Sequence, residues 1–269
     1  MGFAHIPLPC LGAPPLLYPA APPSVFDYAI VKYTAPAVAL VRECTDSGEI
    51  QPPSRTQPSL QVHIYKNMII FAPESTNRMD KLVVINSCMR EDSRTKVILE
   101  AALEELASRY EIEIIDVNAL ALPPVTPEIL KERTSGYVPQ TTLSIAGKVA
   151  SADRIVIAAP FWDMSFPSVL KVFLENLSLY NVTFTDDGTT CKGLCKCRKV
   201  LYITTRGMNI PTGDIRDQGS SYLKALSSLW GLGEVITIAA WNLAYLSAED
   251  VSGIVNQTAA SAKIIARDF

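Results

Sequence analysis

Three short stretches of this 269-residue chain carry side chains suited to binding chemistry. The first is Asn86-Ser87-Cys88-Met89-Arg90-Glu91-Asp92-Ser93-Arg94-Thr95, where hydroxyls at 87, 93 and 95 and guanidinium groups at 90 and 94 run into an amphipathic segment. Hydroxyls, cations and the free amides of a helix start are what a phosphate monoester needs. The plain alternative is an N-cap by Ser93 in an ordinary polar turn. The second is Pro160-Phe161-Trp162-Asp163-Met164-Ser165-Phe166-Pro167, in which aromatic side chains follow an apolar run. There they offer a stacking surface for a planar ligand, or else pack beneath a neighbouring loop. The third is Thr204-Thr205-Arg206-Gly207-Met208-Asn209. Its glycine lets backbone approach a ligand and its arginine can stabilise negative charge developing on a ring; a tight turn with a solvated arginine is the bland reading.

These stretches need a scaffold that brings them together. From Lys81 onward, strands alternate with amphipathic helices, the pattern of a parallel sheet covered on both faces. Leu82-Val83-Val84-Ile85 reads as a buried strand, and Val97, Ile98, Ala101, Ala102, Leu106 and Tyr110 repeat at helical spacing after it. Residues 112–117 read as an edge strand, and 118–140 as a proline-bearing excursion with one short helix near 128–133. A helix over 141–151, a buried strand from Arg154, a helix after Pro167, a strand over 200–205 and a helix over 222–230 closed by Gly231 follow. A strand over 235–240 and a helix opened by Ser247-Ala-Glu-Asp250 complete the chain. The pattern predicts an α/β fold with a doubly wound five-stranded parallel sheet in the order 2-1-3-4-5, whose ligands bind at the carboxyl ends of the strands.

Composition excludes several classes. With 48% hydrophobic and 19% charged residues and a net charge of −3, the chain is core-forming and has no basic stripe for a nucleic acid. No stretch approaches the ~20 apolar residues of a membrane helix, so a soluble, cytoplasmic protein is expected. GxGxxG and GxxxxGK are absent. The two histidines, His5 and His63, lie in the first 78 residues, which removes a Ser-His-Asp triad or a histidine-held metal from the later region and leaves the chemistry to a cofactor. Cys191, Cys195 and Cys197 have the wrong spacing for zinc and read as ordinary thiols beside a strand. Twelve of the nineteen prolines precede residue 79, marking 1–78 as an irregular extension, expected to be disordered or an inaccurately assigned leader, and 79–269 as the folded domain.

At these loops the sequence resembles the FMN-dependent NADH-azoreductase, or NADH:quinone oxidoreductase, family of the flavodoxin-like fold. The resemblance covers roughly 79–269 and rests on Ser87 with Ser93-Arg94-Thr95, Ala159-Pro160-Phe161-Trp162-Asp163-Met164 before Pro167, Val182-Thr183-Phe184 before a turn, and Thr204-Thr205-Arg206-Gly207. It implies that Ser87, Ser93, Arg94 and Thr95 hold the FMN phosphate. It further implies that Phe161, Trp162, Asp163 and Met164 line the isoalloxazine ring and that Thr205, Arg206, Gly207 and Met208 meet its pyrimidine edge. Family members are homodimers that take a hydride from NADH or NADPH and reduce quinones or azo compounds in ping-pong order. Asp163 stands where the family usually has asparagine, and Met208 replaces a second glycine. The alternatives are an NAD(P)H:FMN reductase that releases reduced flavin, a flavodoxin-like electron carrier without turnover, and a flavin-free scaffold of the same fold.

Overall fold

The computed structural model describes residues 41–42, 61–65, 68–72, 79–120 and 122–269. Within the first 78 residues, Val41–Arg42 (β1), Gln61–Tyr65 (β2) and Met68–Ala72 (β3) form an antiparallel sheet with β3 in the middle. These are short strands within a segment expected to be mostly irregular. Between Pro58 and Pro73 the chain is free of proline and rich in β-branched and aromatic residues, which suit a pleated surface. The rest of the expectation for 1–78, and the question of a leader, lies outside the described residues.

From residue 79 the chain builds a second unit. Its strands are Asp80–Asn86 (β4), Tyr110–Asp116 (β5), Arg154–Ala158 (β6), Lys199–Thr205 (β9) and Glu234–Ala240 (β10), with a hairpin of Phe184–Asp186 (β7) and Cys191–Gly193 (β8) inserted before β9. Its helices are Arg94–Leu106 (α1), Val117–Leu120 (α2), Pro127–Thr134 (α3), Gln140–Ser151 (α4), Ser168–Leu177 (α5), Gln218–Trp230 (α6) and Ala248–Arg267 (α7). The five long strands pair in parallel in the order β5-β4-β6-β9-β10, the 2-1-3-4-5 arrangement read from the sequence. None of the helices in the described residues is long and apolar enough to cross a membrane.

Alternation within each strand explains why the sheet is covered twice. Val83, Ile85, Ile155, Ile157, Val200 and Tyr202 pack with α4, α5 and α6, whereas Leu82, Val84, Val156, Leu201 and Ile203 face α1 and α7. Both sets are buried, which is why these strands read as continuous apolar runs. On β5, by contrast, Ile114 is exposed, as expected at an edge.

Local signals set the helix ends. The Ser93 hydroxyl accepts from Lys96 N at 3.3 Å and the Ser247 hydroxyl from Asp250 N at 3.1 Å, so each caps its helix. Gly231 ends α6 at φ 75°, a left-handed conformation that favours glycine. The start of α6 lies four residues before the expected Tyr222, because Asp217 Oδ1 accepts from Ser220 N at 3.1 Å and caps an earlier turn.

The β7–β8 hairpin occupies the region of the cysteine cluster. Cys191 is exposed in β8, and burial pushes the Cys195 thiol up to about 12 and the Cys197 thiol up to about 11. Such thiols stay protonated at neutral pH and are poor nucleophiles. Among the described residues, no three His, Cys, Asp or Glu side chains are gathered as a metal site requires. The hairpin docks where α6 ends: a Cβ on Gly193 would stand 2.2 Å from Gly231 N, inside main chain that cannot step aside. Gly193→Ala is therefore expected to cost about 1–3 kcal/mol of stability, read as a lower urea midpoint. An unchanged midpoint would show that this contact is looser than described.

Candidate functional site

Parallel strands end on one edge, so the loops after β4, β6, β9 and β10 converge. Between them lies an open cavity of about 230 Å³ whose wall carries Ser93, Arg94, Thr95, Phe161, Trp162, Thr205, Arg206 and Gly207. All three sequence-predicted loops therefore meet at one site. Residues 205–207 are joined there by Leu243 from the loop after β10, and the wall also includes Met89, Arg90, Asp92 and Pro160.

Thr205 joins the loops. Its hydroxyl lies 2.7 Å from the Thr95 hydroxyl, across 110 residues of chain, and its carbonyl accepts from Phe161 N at 3.1 Å. The third and fourth loops run side by side because Arg206 N donates to Ala240 O at 2.7 Å, Ala244 N to Gly207 O at 2.8 Å and Asn242 N to Met208 O at 2.9 Å. That pairing carries Leu243 to the cavity.

One side of the wall is polar. The Ser93 hydroxyl oxygen accepts the capping bond of α1, which leaves its hydrogen to donate, and the first turn of the helix holds no acidic residue. The amides of Arg94 and Thr95 have no acceptor within the helix. With Arg90 and Arg94 beside them, these groups suit a phosphate, since the helix start adds its own partial positive charge. Cys88 lies close by, and burial raises its thiol above the ordinary value. Ser87 sits deeper: it is fully buried, its hydroxyl donates to Ala158 O at 3.1 Å, and it does not line the cavity.

The other side is broad and apolar. Phe161 is buried and Trp162 is 39% exposed. Beneath Phe161 lies Arg206, whose guanidinium carbon is 5.2 Å from the ring centroid. This arginine is neither solvated nor free: its side chain is fully buried and pairs with Asp217 at 2.9 Å. Gly207 is not among the positive-φ glycines, and a Cβ there would meet Ala244 alone, its Cβ at 3.4 Å and its Cα at 4.0 Å. Neither backbone strain nor protein packing demands glycine at 207, which leaves room for a ligand.

Asp163, Met164 and Met208 lie outside the cavity wall. The first two form the tip of a tight hairpin: Trp162 N donates to Ser165 O at 2.9 Å, and Ser165 N to Trp162 O at 2.8 Å. Both tip residues have positive φ, 46° for Asp163 and 68° for Met164. That is a type I′ turn, whose preferred residues are Asn-Gly. Met164 is a costly choice in it, and the turn is held down by Gln218 N donating to Met164 O at 3.0 Å.

Sequence reasoning missed Leu243 and Asp217. Leu243 was findable from its place just beyond the fifth strand, and Asp217 from its capping pattern, Asp-Gln-Gly-Ser220, ahead of the helix.

Comparison with known proteins agrees with this fold. A family profile described as flavodoxin-like fold matches residues 80–264. The FMN-dependent NADH:quinone oxidoreductase 2 of Clostridium acetobutylicum is 31% identical over 207 residues, covering 71% of this chain and 100% of that protein. The FMN-dependent NADH:quinone oxidoreductase of Lachnoclostridium phytofermentans is 28% identical over 200 residues, with 71% and 100% covered. Among solved structures, an FMN-dependent NADH-azoreductase from Bacillus anthracis in complex with FMN shares the fold at a TM-score of 0.58 and 22% identity, covering 70% of this chain and 100% of that one. This chain belongs to the flavodoxin-like family that contains the FMN-dependent NADH:quinone oxidoreductases.

The strained turn generates a test. Met164→Gly removes a left-handed penalty of about 1–2 kcal/mol and adds a glycine entropy cost of about 0.5–1 kcal/mol. A net stability gain of about 0.5–1 kcal/mol is expected from chemical denaturation. A loss would mean that the Met164 side chain supports the turn by more than its backbone costs.

Proposed function

We propose that this protein is an FMN-dependent oxidoreductase that takes a hydride from NADH or NADPH and reduces quinones or azo compounds in ping-pong order. The observation that carries the reading is one cavity that gathers a capped helix start, Arg90 and Arg94 together with Phe161, Trp162 and Gly207.

The residues fit FMN. Ser93, Arg94 and Thr95 supply hydroxyl, guanidinium and amide donors for the phosphate, while Ser87 braces that loop against Ala158. Phe161 and Trp162 offer surface for the ring, Asp163 and Met164 shape the turn behind them, and Thr205 and Gly207 present backbone at its edge. The buried Arg206 Nε has no partner among the described residues. Bound FMN supplies reversible hydride acceptance, chemistry that no side chain offers. The protein's own part is to bind, orient and exclude water. Met208 stands half-exposed beyond Gly207, outside the cavity wall.

A homodimer is supported by where the exposed apolar side chains lie. Trp162, Met164, Met208, Ile215, Trp241 and Tyr245 all follow the carboxyl ends of β6, β9 and β10, and Tyr245 is 97% exposed. A rim of this kind around a cavity marks a contact surface, and a second copy would close both sites.

Titration of the purified protein with FMN tests the reading, followed by anaerobic NADH and then a quinone. Saturable flavin uptake, bleaching by NADH and recovery with quinone are expected, with parallel double-reciprocal plots at varied acceptor. Gly207→Ala should fold with stability within about 0.5 kcal/mol of the parent and bind FMN at least tenfold more weakly. Protein that takes up no FMN would reject the function; flavin lost at each turnover would favour the flavin-releasing reductase.

A further inference from the structure

The polar cluster behind the ring-facing wall does more than fill space. Arg206 and Asp217 are both fully buried and joined at 2.9 Å, and the same guanidinium donates to Ile210 O at 2.9 Å and to Ser220 Oγ at 3.4 Å. Asp217 is shared among three segments. Its Oδ2 also accepts from Gly213 N at 3.3 Å, and its Oδ1 accepts from Ser220 N at 3.1 Å, so one carboxylate ties the end of β9, the 207–217 loop and the first turn of α6. The next residue, Gln218, holds the 162–165 turn through Met164 O.

Charge gives this arrangement a second consequence. A guanidinium keeps its proton at any working pH. Buried at a cavity wall and unpaired, it would act strongly on negative charge developing nearby. With Asp217 in contact, it faces the cavity as half of a neutral pair.

We propose that Asp217 is a positioning residue of this site: it fixes the Arg206 guanidinium beneath Phe161 and cancels its charge, so that a neutral pair, not a free cation, sets the reduction potential of the flavin. This rests on the reading that the cavity takes FMN. Arg206 then serves the ring side chiefly as a support for Phe161.

The test is the midpoint potential of bound FMN, measured by dye equilibration on the holoprotein and its variants. Asp217→Asn leaves the guanidinium uncompensated and should move the potential in the positive direction. Arg206→Gln leaves the carboxylate uncompensated and should move it in the negative direction. The double variant, neutral again, should return close to the parent value. A support without electrostatic effect would move both single variants alike, with no return in the double variant, and that result overturns the proposal. So does a folded Asp217→Asn variant of unchanged potential. If the single variants do not fold, the double variant decides alone, since removing both charges leaves no buried ion unpaired: a parental potential supports the proposal, whereas a displaced potential or failure to fold overturns it. Parent protein that binds no FMN overturns both this proposal and the function it rests on, an outcome separate from all of these.

Discussion

The hydroxyl contact between Thr95 and Thr205, at 2.7 Å, is where the site becomes one object. Thr95 stands in the first turn of α1 and Thr205 ends β9, so the contact fixes the first loop against the third. The Thr205 carbonyl, bonded to Phe161 N, fixes the second loop at the same point. A parallel sheet guarantees that these loops emerge at one edge, but it does not fix their spacing to an ångström. Two short polar contacts do that, on the rigid ends of strands buried on both faces.

Around this point the molecule departs from what stability alone would select. Asp163 and Met164 occupy left-handed backbone that L-residues adopt at a cost, and Arg206 with Asp217 is an ion pair taken wholly out of water. Elsewhere the second unit is conventional: apolar strands, amphipathic helices, and surface pairs such as Arg267 with Glu105 that contribute little. Local expense gathered at one cavity is the physical mark of a working site. It coincides with the place where the fold puts ligands.

Much of this was legible beforehand because parallel-sheet strands announce themselves. Val83, Val84, Ile155, Val156 and Val200 lie in runs buried on both sides, and Gly231 and Ser247 end and begin helices for local reasons. The sheet order and the meeting of the three loops followed from these. Several features were not legible. The three-residue strands β7 and β8 are too short for a period to show, and they depend on docking against the end of α6. Arg206 read as a solvated or ligand-facing cation because its partner, Asp217, lies eleven positions away in a loop whose path no local pattern specifies. Positive φ at Asp163 and Met164 was hidden because neither residue is glycine, the usual sign of such a turn. The strands of residues 41–72 were obscured by prolines on either side of short β-prone runs.

The most direct test is a crystal structure of the protein soaked with FMN. The phosphate should sit within hydrogen-bond distance of Ser93, Arg94 and Thr95, with the ring against Phe161 and Trp162 and its edge at Gly207. Flavin bound away from the Thr95–Thr205 contact, or reversed so that its phosphate meets Trp162, would contradict the account.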